Sequence, residues 1–219
     1  MSLALYGHPF SSYTQKVLIA LYENRTPFEF RCISPDHPQH VADWLGRWPL
    51  RKFPVLVDGD QHRAETSVII EHLQLTHPGP TRLIPHDPVA ALDVRFFDRF
   101  FDLHVMDAAQ HAVDGALTGD AVKRRDGLAR SIEKLERAYA WADGQLAGKT
   151  WATGDNFTLA DCAAGPSLFY ADWVHPIAEP YATLRAYRSR LLQRPSFARA
   201  VDEARPFRPL FPLGAPERD

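Results

Sequence analysis

Cysteine is nearly absent: Cys32 and Cys162 are the only two among 219 residues. They stand far apart in apolar settings, which argues against a disulfide framework and reads as two buried thiols of a cytosolic protein. An excess of either charge is missing as well. The 25 Lys and Arg nearly balance 27 Asp and Glu, giving a formal charge of −2. Composition therefore offers no electrostatic case for nucleic acid or for an anionic membrane surface. No apolar run approaches the roughly 18 residues of a membrane span. The opening M-S-L-A-L-Y-G has neither a basic region nor a cleavage site, so no secretory leader is expected. Nor does any internal repeat appear. What remains, 45% apolar and 24% charged residues, is ordinary for a globular chain with room for one large domain or two small ones.

The most informative stretch runs from Lys52 to Ser67, K-F-P-V-L-V-D-G-D-Q-H-R-A-E-T-S. Two short strand-like runs flank Asp58-Gly59, a strong signal for a two-residue hairpin turn. Phe53 to Val57 is expected as one strand and Gln61 to Ala64 as its antiparallel partner. Pro54 cannot donate to a sheet ladder, which leaves the neighbouring backbone open to an extended peptide ligand. Glu65-Thr66 then opens the apolar helix S-V-I-I-E-H-L. A carboxylate, a hydroxyl and free helix N–H groups so fall close to the proline, a pocket suited to a small zwitterionic peptide. Each part also has a plainer reading: Thr66 as a helix cap and Glu65 as a favourable charge near a helix start.

The rest of the chain reads in two blocks. Residues 3–6 form a buried strand stopped by Gly7-His8-Pro9. A helix follows from about Ser12 to Asn24, where Ser12 with Gln15 matches a capping box. Phe28 to Cys32 is a second strand, and V-A-D-W-L-G-R-W a short helix or irregular turn. With the hairpin and a helix over 67–77 the order is β-α-β-α-β-β-α, which suits a right-handed crossover and a mixed sheet. Residues 78–88 are linker-like, and Asp87 with Pro88 starts a further helix. Thereafter 89–116, 121–146, 158–172, 180–193 and 196–204 all read as helix. In F-T-L-A-D-C, Thr158 is expected to cap, Asp161 to reach back to it, and Phe157 with Cys162 to form a hydrophobic staple.

The proline, hairpin and Glu-Thr pair resemble the glutathione site of the glutathione transferases. The linker, the F-T-L-A-D-C cap and R-P-S-F-A-R-A extend that resemblance over nearly the whole chain. It implies a thioredoxin-like α/β domain with a mixed four-stranded sheet at 1–77, a linker at 78–88 and an all-α domain at 89–219. It further implies a cis Pro54, Glu65 and Thr66 on the γ-glutamyl end of glutathione, and the Phe53 backbone on its cysteinyl part. Lys52 and His40 are placed to meet the glycyl carboxylate. Trp48 stands where most relatives have Asn before the proline of this loop.

The chemistry asked of such a site is small. A thiol near 8.5 needs a shift of about two units, or about 2.7 kcal/mol, to ionise at neutral pH. One hydrogen bond to a charged group contributes about 1.5–3 kcal/mol and a helix N-terminus about 0.3–2. Tyr6, Ser11 and Ser12 are the candidate hydroxyls, with Tyr13 beside them. S-S-Y-T-Q-K-V-L-I-A-L resembles the serine-type tau, theta and zeta classes, and carried over by spacing the active serine is Ser11. Tyr6 is the runner-up. Tyr13 stands where the zeta pattern S-S-C-S has cysteine, which sets the chain apart from maleylacetoacetate isomerase.

The expectation is a cytoplasmic enzyme that joins glutathione, a cosubstrate rather than a resident cofactor, to a small hydrophobic electrophile. The second substrate is expected to sit between the two domains, partly against F-F-D-R-F-F-D-L-H-V-M. A homodimer is implied, with no nucleic acid or membrane partner and no metal; His37 and His40, three apart, lack further ligands. The alternatives are glutathione-dependent isomerase, dehalogenase or peroxidase chemistry, or a non-catalytic binding protein on the same fold.

Overall fold

The computed structural model describes residues 3–219. Its N-terminal part runs β1 (Leu3–Gly7), α1 (Ser12–Glu23), β2 (Glu29–Cys32), α2 (Pro38–Arg47), β3 (Val55–Asp58), β4 (Gln61–Arg63) and α3 (Thr66–Thr76). The strands form one mixed sheet in the order β2-β1-β3-β4. β1 pairs parallel with β2 across the α1 crossover, and antiparallel with β3. This is the thioredoxin-like arrangement that the order of elements implies.

Alternation along the strands decides what each face carries. Leu3, Leu5 and Leu56 point into the main core with α1 and α3. Ala4, Tyr6, Val55 and Val57 point the other way and close a smaller core over Trp44 of α2. Gly7 ends β1 because α1 comes too near for a side chain: a Cβ there would meet Thr14 at 2.7 Å.

The hairpin departs from expectation by one residue. Asp58 pairs with Gln61 and stays in β3, so the loop is Gly59-Asp60. Gly59 takes φ +60°, the left-handed conformation that its missing Cβ allows at little cost. β3 starts at Val55, leaving Phe53 and Pro54 outside the ladder, and the Phe53–Pro54 peptide is cis.

Helices make up the rest: α4 (Pro88–Phe100), α5 (Asp107–Leu117), α6 (Ala121–Gln145), α7 (Leu159–Val174), α8 (Ala182–Leu192) and α9 (Pro195–Ala204). Asp87 caps α4 through the Ala90 N–H at 2.8 Å, with Pro88 at the first helical position. The expected single helix over 89–116 is interrupted by a π-helical turn, Phe101–Met106. Phe100 and Phe101 are consecutive and both buried, against different partners. At this junction Phe100 packs onto Trp141, ring centroids 4.3 Å apart, and Phe101 faces Tyr187 at 6.3 Å.

The cap of α7 forms as expected. Asp161, wholly buried, accepts from the Thr158 N–H at 2.8 Å. It also takes the Ala152 N–H at 2.8 Å and the Tyr187 hydroxyl at 2.6 Å. Phe157 and Cys162 are both buried beside it. Cys32, in contrast, is only half-buried, because the end of β2 is an edge of the sheet.

Candidate functional site

The loop before β3 and the start of α3 are held by local devices. The Trp44 indole N–H donates to the Lys52 carbonyl at 2.9 Å, pinning the approach to Pro54 onto α2. Glu65 precedes α3 with φ +64°, a conformation that costs a residue with a Cβ on the order of 1 kcal/mol. Such strain is characteristic of positions that serve a site. Glu65 is exposed, Thr66 is buried at the first helical position, and the Ile69 N–H already reaches the Glu65 carbonyl at 2.9 Å. The free N–H groups before Ile69 are the positive end of α3.

These parts surround one cavity of about 290 Å³, lined by Lys52, Phe53, Pro54, Glu65 and Thr66 together with Tyr13 and Trp48. The helical part supplies the opposite wall, Arg99, Asp102 and Leu103. Two cations and two carboxylates thus face a pocket beside a helix N-terminus. That pattern complements a ligand carrying both carboxylates and an ammonium group.

A second cavity of about 280 Å³ adjoins it. Ser11, Ser12, Phe10, Met106, Val113 and Phe211 are among its lining, which is mainly apolar. Tyr13 and Phe53 line both cavities. Burial first, then the nearby charges of Asp102 and Asp107, push the Tyr13 hydroxyl up to about 12. Tyr13 is therefore a neutral donor at physiological pH.

Behind the first cavity lies a buried ion cluster that joins α1, α3 and α4. The Lys16 ammonium sits 2.6 Å from Asp98, 2.7 Å from Asp102 and 3.1 Å from the Ser67 hydroxyl. Ser67 donates to Asp98 at 2.6 Å, and Arg99 pairs with Asp102. Burial pushes the Asp102 carboxyl above its ordinary value, Lys16 pulls it back, and Asp98 adds to the rise.

Of the residues expected from sequence, Lys52, Phe53, Pro54, Glu65 and Thr66 meet in the first cavity, and Ser11 lies in the second. His40 lines neither. It is half-buried on α2 with its Nδ1 3.0 Å from the Cys32 carbonyl and its ring edge-on to Tyr6. Two expectations are overturned. Ser11, not Ser12, caps α1: its Oγ accepts the Thr14 N–H at 3.3 Å, while Ser12 is the buried first helical residue. Gln15 turns instead to the Pro9 carbonyl and the Tyr170 hydroxyl, each at 3.0 Å. Tyr6 is withdrawn as a thiol partner because it is fully buried on the α2 side of the sheet, its hydroxyl held by Arg31 and Asp43. Arg99, Asp102 and Leu103 escaped the sequence reading. A wall that arrives from about 35–50 residues away has no local signature, although the F-F-D-R-F-F-D-L-H-V-M segment marked the helix that brings it.

Known proteins share this fold. Residues 5–81 match the family described as glutathione S-transferase, N-terminal domain, and 125–190 the glutathione S-transferase C-terminal domain. A glutathione S-transferase from Methylobacterium radiotolerans, solved with glutathione sulfonate, is 32% identical and superposes with a TM-score of 0.76. The match covers 92% of this chain and 95% of that one. A probable maleylacetoacetate isomerase of Vibrio cholerae is 28% identical over 94% of this chain and 98% of its own length. A stringent starvation protein A homolog of Coxiella burnetii is 26% identical over 92% of each. The chain belongs to the cytosolic glutathione S-transferase superfamily.

Proposed function

We propose that the protein is a glutathione transferase that adds the glutathione thiolate to small, apolar electrophiles. The observation that carries this reading is the pair of adjoining cavities, one charged and one apolar, with Phe53 and Tyr13 as their common wall. Glutathione occupies the charged cavity. Its γ-glutamyl carboxylate meets Thr66 and the N-terminus of α3, its ammonium meets Glu65, and its cysteinyl backbone pairs with Phe53. Lys52 takes the glycyl carboxylate. Relatives crystallised with glutathione or its sulfonate support the ligand class.

The thiol then falls at the junction of the cavities, near the start of α1. Ser11 accepts a backbone N–H there and keeps its own O–H free to donate, so capping and thiolate stabilisation are compatible. The electrophile enters the apolar side, against Phe10, Met106 and Val113. The division into 1–77, a linker at 78–88 and 89–219 is part of this reading, and so is a cytoplasmic homodimer. Val68 and Leu75 of α3 and Val89, Leu92 and Phe96 of α4 are exposed apolar residues that support a symmetric interface. No helix among the described residues is long and apolar enough to cross a membrane.

The second reading is a non-catalytic binding or scaffold protein on the same fold, in keeping with the similarity to a stringent starvation protein A homolog. Calorimetric titration with glutathione, followed by turnover of a general aryl or alkyl electrophile, tests both. Saturable binding with turnover is expected. Failure to turn over any member of an electrophile panel, with or without glutathione binding, overturns the first reading and supports the second.

A further inference from the structure

At the far end of α3, about 15 Å along the helix from Thr66, three metal-ligating side chains converge. Asp58 comes from the last residue of β3, His72 from the second turn of α3, and His77 from its C-cap. The Asp58 Oδ2 lies 3.0 Å from His72 Nε2 and 2.7 Å from His77 Nε2. All three ligand atoms fall within 4.8 Å of one another, and no other group of three such residues does so among the described residues. None of the three lines either cavity of the proposed glutathione site. We propose that Asp58, His72 and His77 form a binding site for a divalent first-row transition metal, with zinc the natural occupant.

The ligand set chooses the ion. Two neutral imidazoles and one carboxylate suit Zn²⁺, Ni²⁺ or Cu²⁺, whereas Mg²⁺ and Ca²⁺ prefer oxygen-only shells. The set carries one negative charge, and among the described residues the only salt-bridge partners of Asp58 are the two histidines. No Lys or Arg of the described residues competes for the carboxylate. Tetrahedral zinc with bonds of about 2.0–2.1 Å places its ligand atoms about 3.4 Å apart. Asp58 has to open from each imidazole by less than 1 Å to reach that spacing. Half-exposed His77 provides the rotation without disturbing the core, and the same exposure leaves an entry path. Three protein ligands leave the fourth position to water.

Position in the fold says what the ion does. Asp58 is hydrogen-bonded into the sheet opposite Leu3 and Gln61, so its backbone is fixed. A metal there clips the β3–β4 hairpin to the C-terminal end of the helix whose N-terminal end faces the charged cavity. Without metal the two imidazoles make the same clip as hydrogen bonds to one carboxylate oxygen, a weaker tie. The proposal stands independently of any glutathione chemistry.

The test uses the tag-free full chain, stripped with a chelator and desalted. Titration with zinc chloride should give one saturable site per chain and a rise in melting temperature that levels off at one equivalent. His72→Ala should weaken zinc binding at least tenfold, about the effect of losing even an outer-shell partner. The double variant His72→Ala/His77→Ala should abolish it, while His37→Ala and His104→Ala retain it. Imidazole ¹⁵N spectra of the unmodified chain supply a readout that survives if a variant fails to fold. The Nε2 resonances of His72 and His77 should move together on zinc addition. Absence of saturable binding, a folded double variant that still binds one zinc, or movement confined to other histidines would each overturn the proposal.

Discussion

Two groups of buried carboxylates solve the same problem in opposite ways. Asp161, in the helical core, is met entirely by neutral donors: two backbone N–H groups and two hydroxyls. Asp98 and Asp102, where the sheet-bearing part meets α4, are met by the charges of Lys16 and Arg99 and by Ser67. Either arrangement avoids the several kcal/mol that a lone buried carboxylate costs. They differ in what they leave over. The neutral cage spends its whole hydrogen-bonding capacity on fixing the start of α7. The charged cluster leaves a field, and two of its members, Arg99 and Asp102, form a wall of the charged cavity. One arrangement builds a helix; the other builds a helix contact and a ligand surface at once.

The largest effect should come from breaking the neutral cage. Asp161→Ala strands the Ala152 N–H, the Thr158 N–H and the Tyr187 hydroxyl, each at about 1–3 kcal/mol. A loss on the order of 4 kcal/mol is expected in denaturant titration. Where the variant remains folded, glutathione affinity should be unchanged. Lys16→Met should cost about 3 kcal/mol at neutral pH, because Arg99 still neutralises part of the pair. Here affinity should change too, since the field at the cavity wall has changed. Burial already holds the Asp102 carboxyl above its unfolded value, and removing the cation that pulls it back raises it further. The penalty is therefore present above that raised pKa and relieved as pH falls through it. Two variants that both leave ligand affinity untouched would collapse the distinction between the sites.

A third carboxylate lies between these extremes. Glu23 at the end of α1 receives a two-pronged Arg194 contact at 2.8 and 2.6 Å and the Ser196 hydroxyl. Burial pushes its carboxyl up, but Arg194 and Ser196 outweigh burial and hold it below the ordinary value. A depressed folded pKa contributes stability above the unfolded value of about 4.3, and that stability is lost as pH falls through the folded pKa. Glu23→Gln should cost about 2 kcal/mol at pH 7 and flatten the acid limb of stability against pH. Melts between pH 3 and 7, compared with the unmodified chain, check it; a parallel acid limb would show that Glu23 carries no linkage.

Sequence reached some of this and not the rest, for physical reasons. The strands, the order of the N-terminal elements and the cap of α7 were legible because each rests on a short-range rule: alternation, turn residues, side chain to backbone at three residues. Lys52, Phe53, Pro54, Glu65 and Thr66 share one stretch, so their meeting needed no knowledge of tertiary contacts. The hairpin register slipped because Asp58-Gly59 and Gly59-Asp60 are both acceptable loops, and only pairing with β1 chooses between them. Lys16 carries no local signal of its role. Its partners Asp98 and Asp102 lie more than 80 residues on, where no periodicity can point. The same holds for Asp58, His72 and His77, whose spacing in the chain matches no compact metal motif.

The smallest stability effect, and the sharpest test of the site, concerns Ser11. Its hydroxyl oxygen caps α1 through Thr14, so Ser11→Ala should cost about 1 kcal/mol of stability. Glycine is nearly as good a cap as serine, losing only a few tenths of a kcal/mol, yet it has no hydroxyl either. Ser11→Ala and Ser11→Gly should therefore differ in thermal stability and agree in catalysis. If the serine O–H stabilises the glutathione thiolate, both variants should lose about tenfold or more in rate at pH 7, the equivalent of one charged hydrogen bond. The apparent thiol pKa of bound glutathione should rise towards its ordinary value of about 8.5. A raised thiol pKa removes thiolate below that value and not above it, so the deficit should shrink as pH climbs past 8.5. Ser12→Ala, at the first helical position and not the cap, should leave the pH–rate profile unchanged. Should the rate loss instead follow stability, larger in Ser11→Ala than in Ser11→Gly and equal at every pH, then Ser11 is a cap alone and the thiol is activated elsewhere, with Tyr13, whose side chain lines both cavities, the next hydroxyl to test.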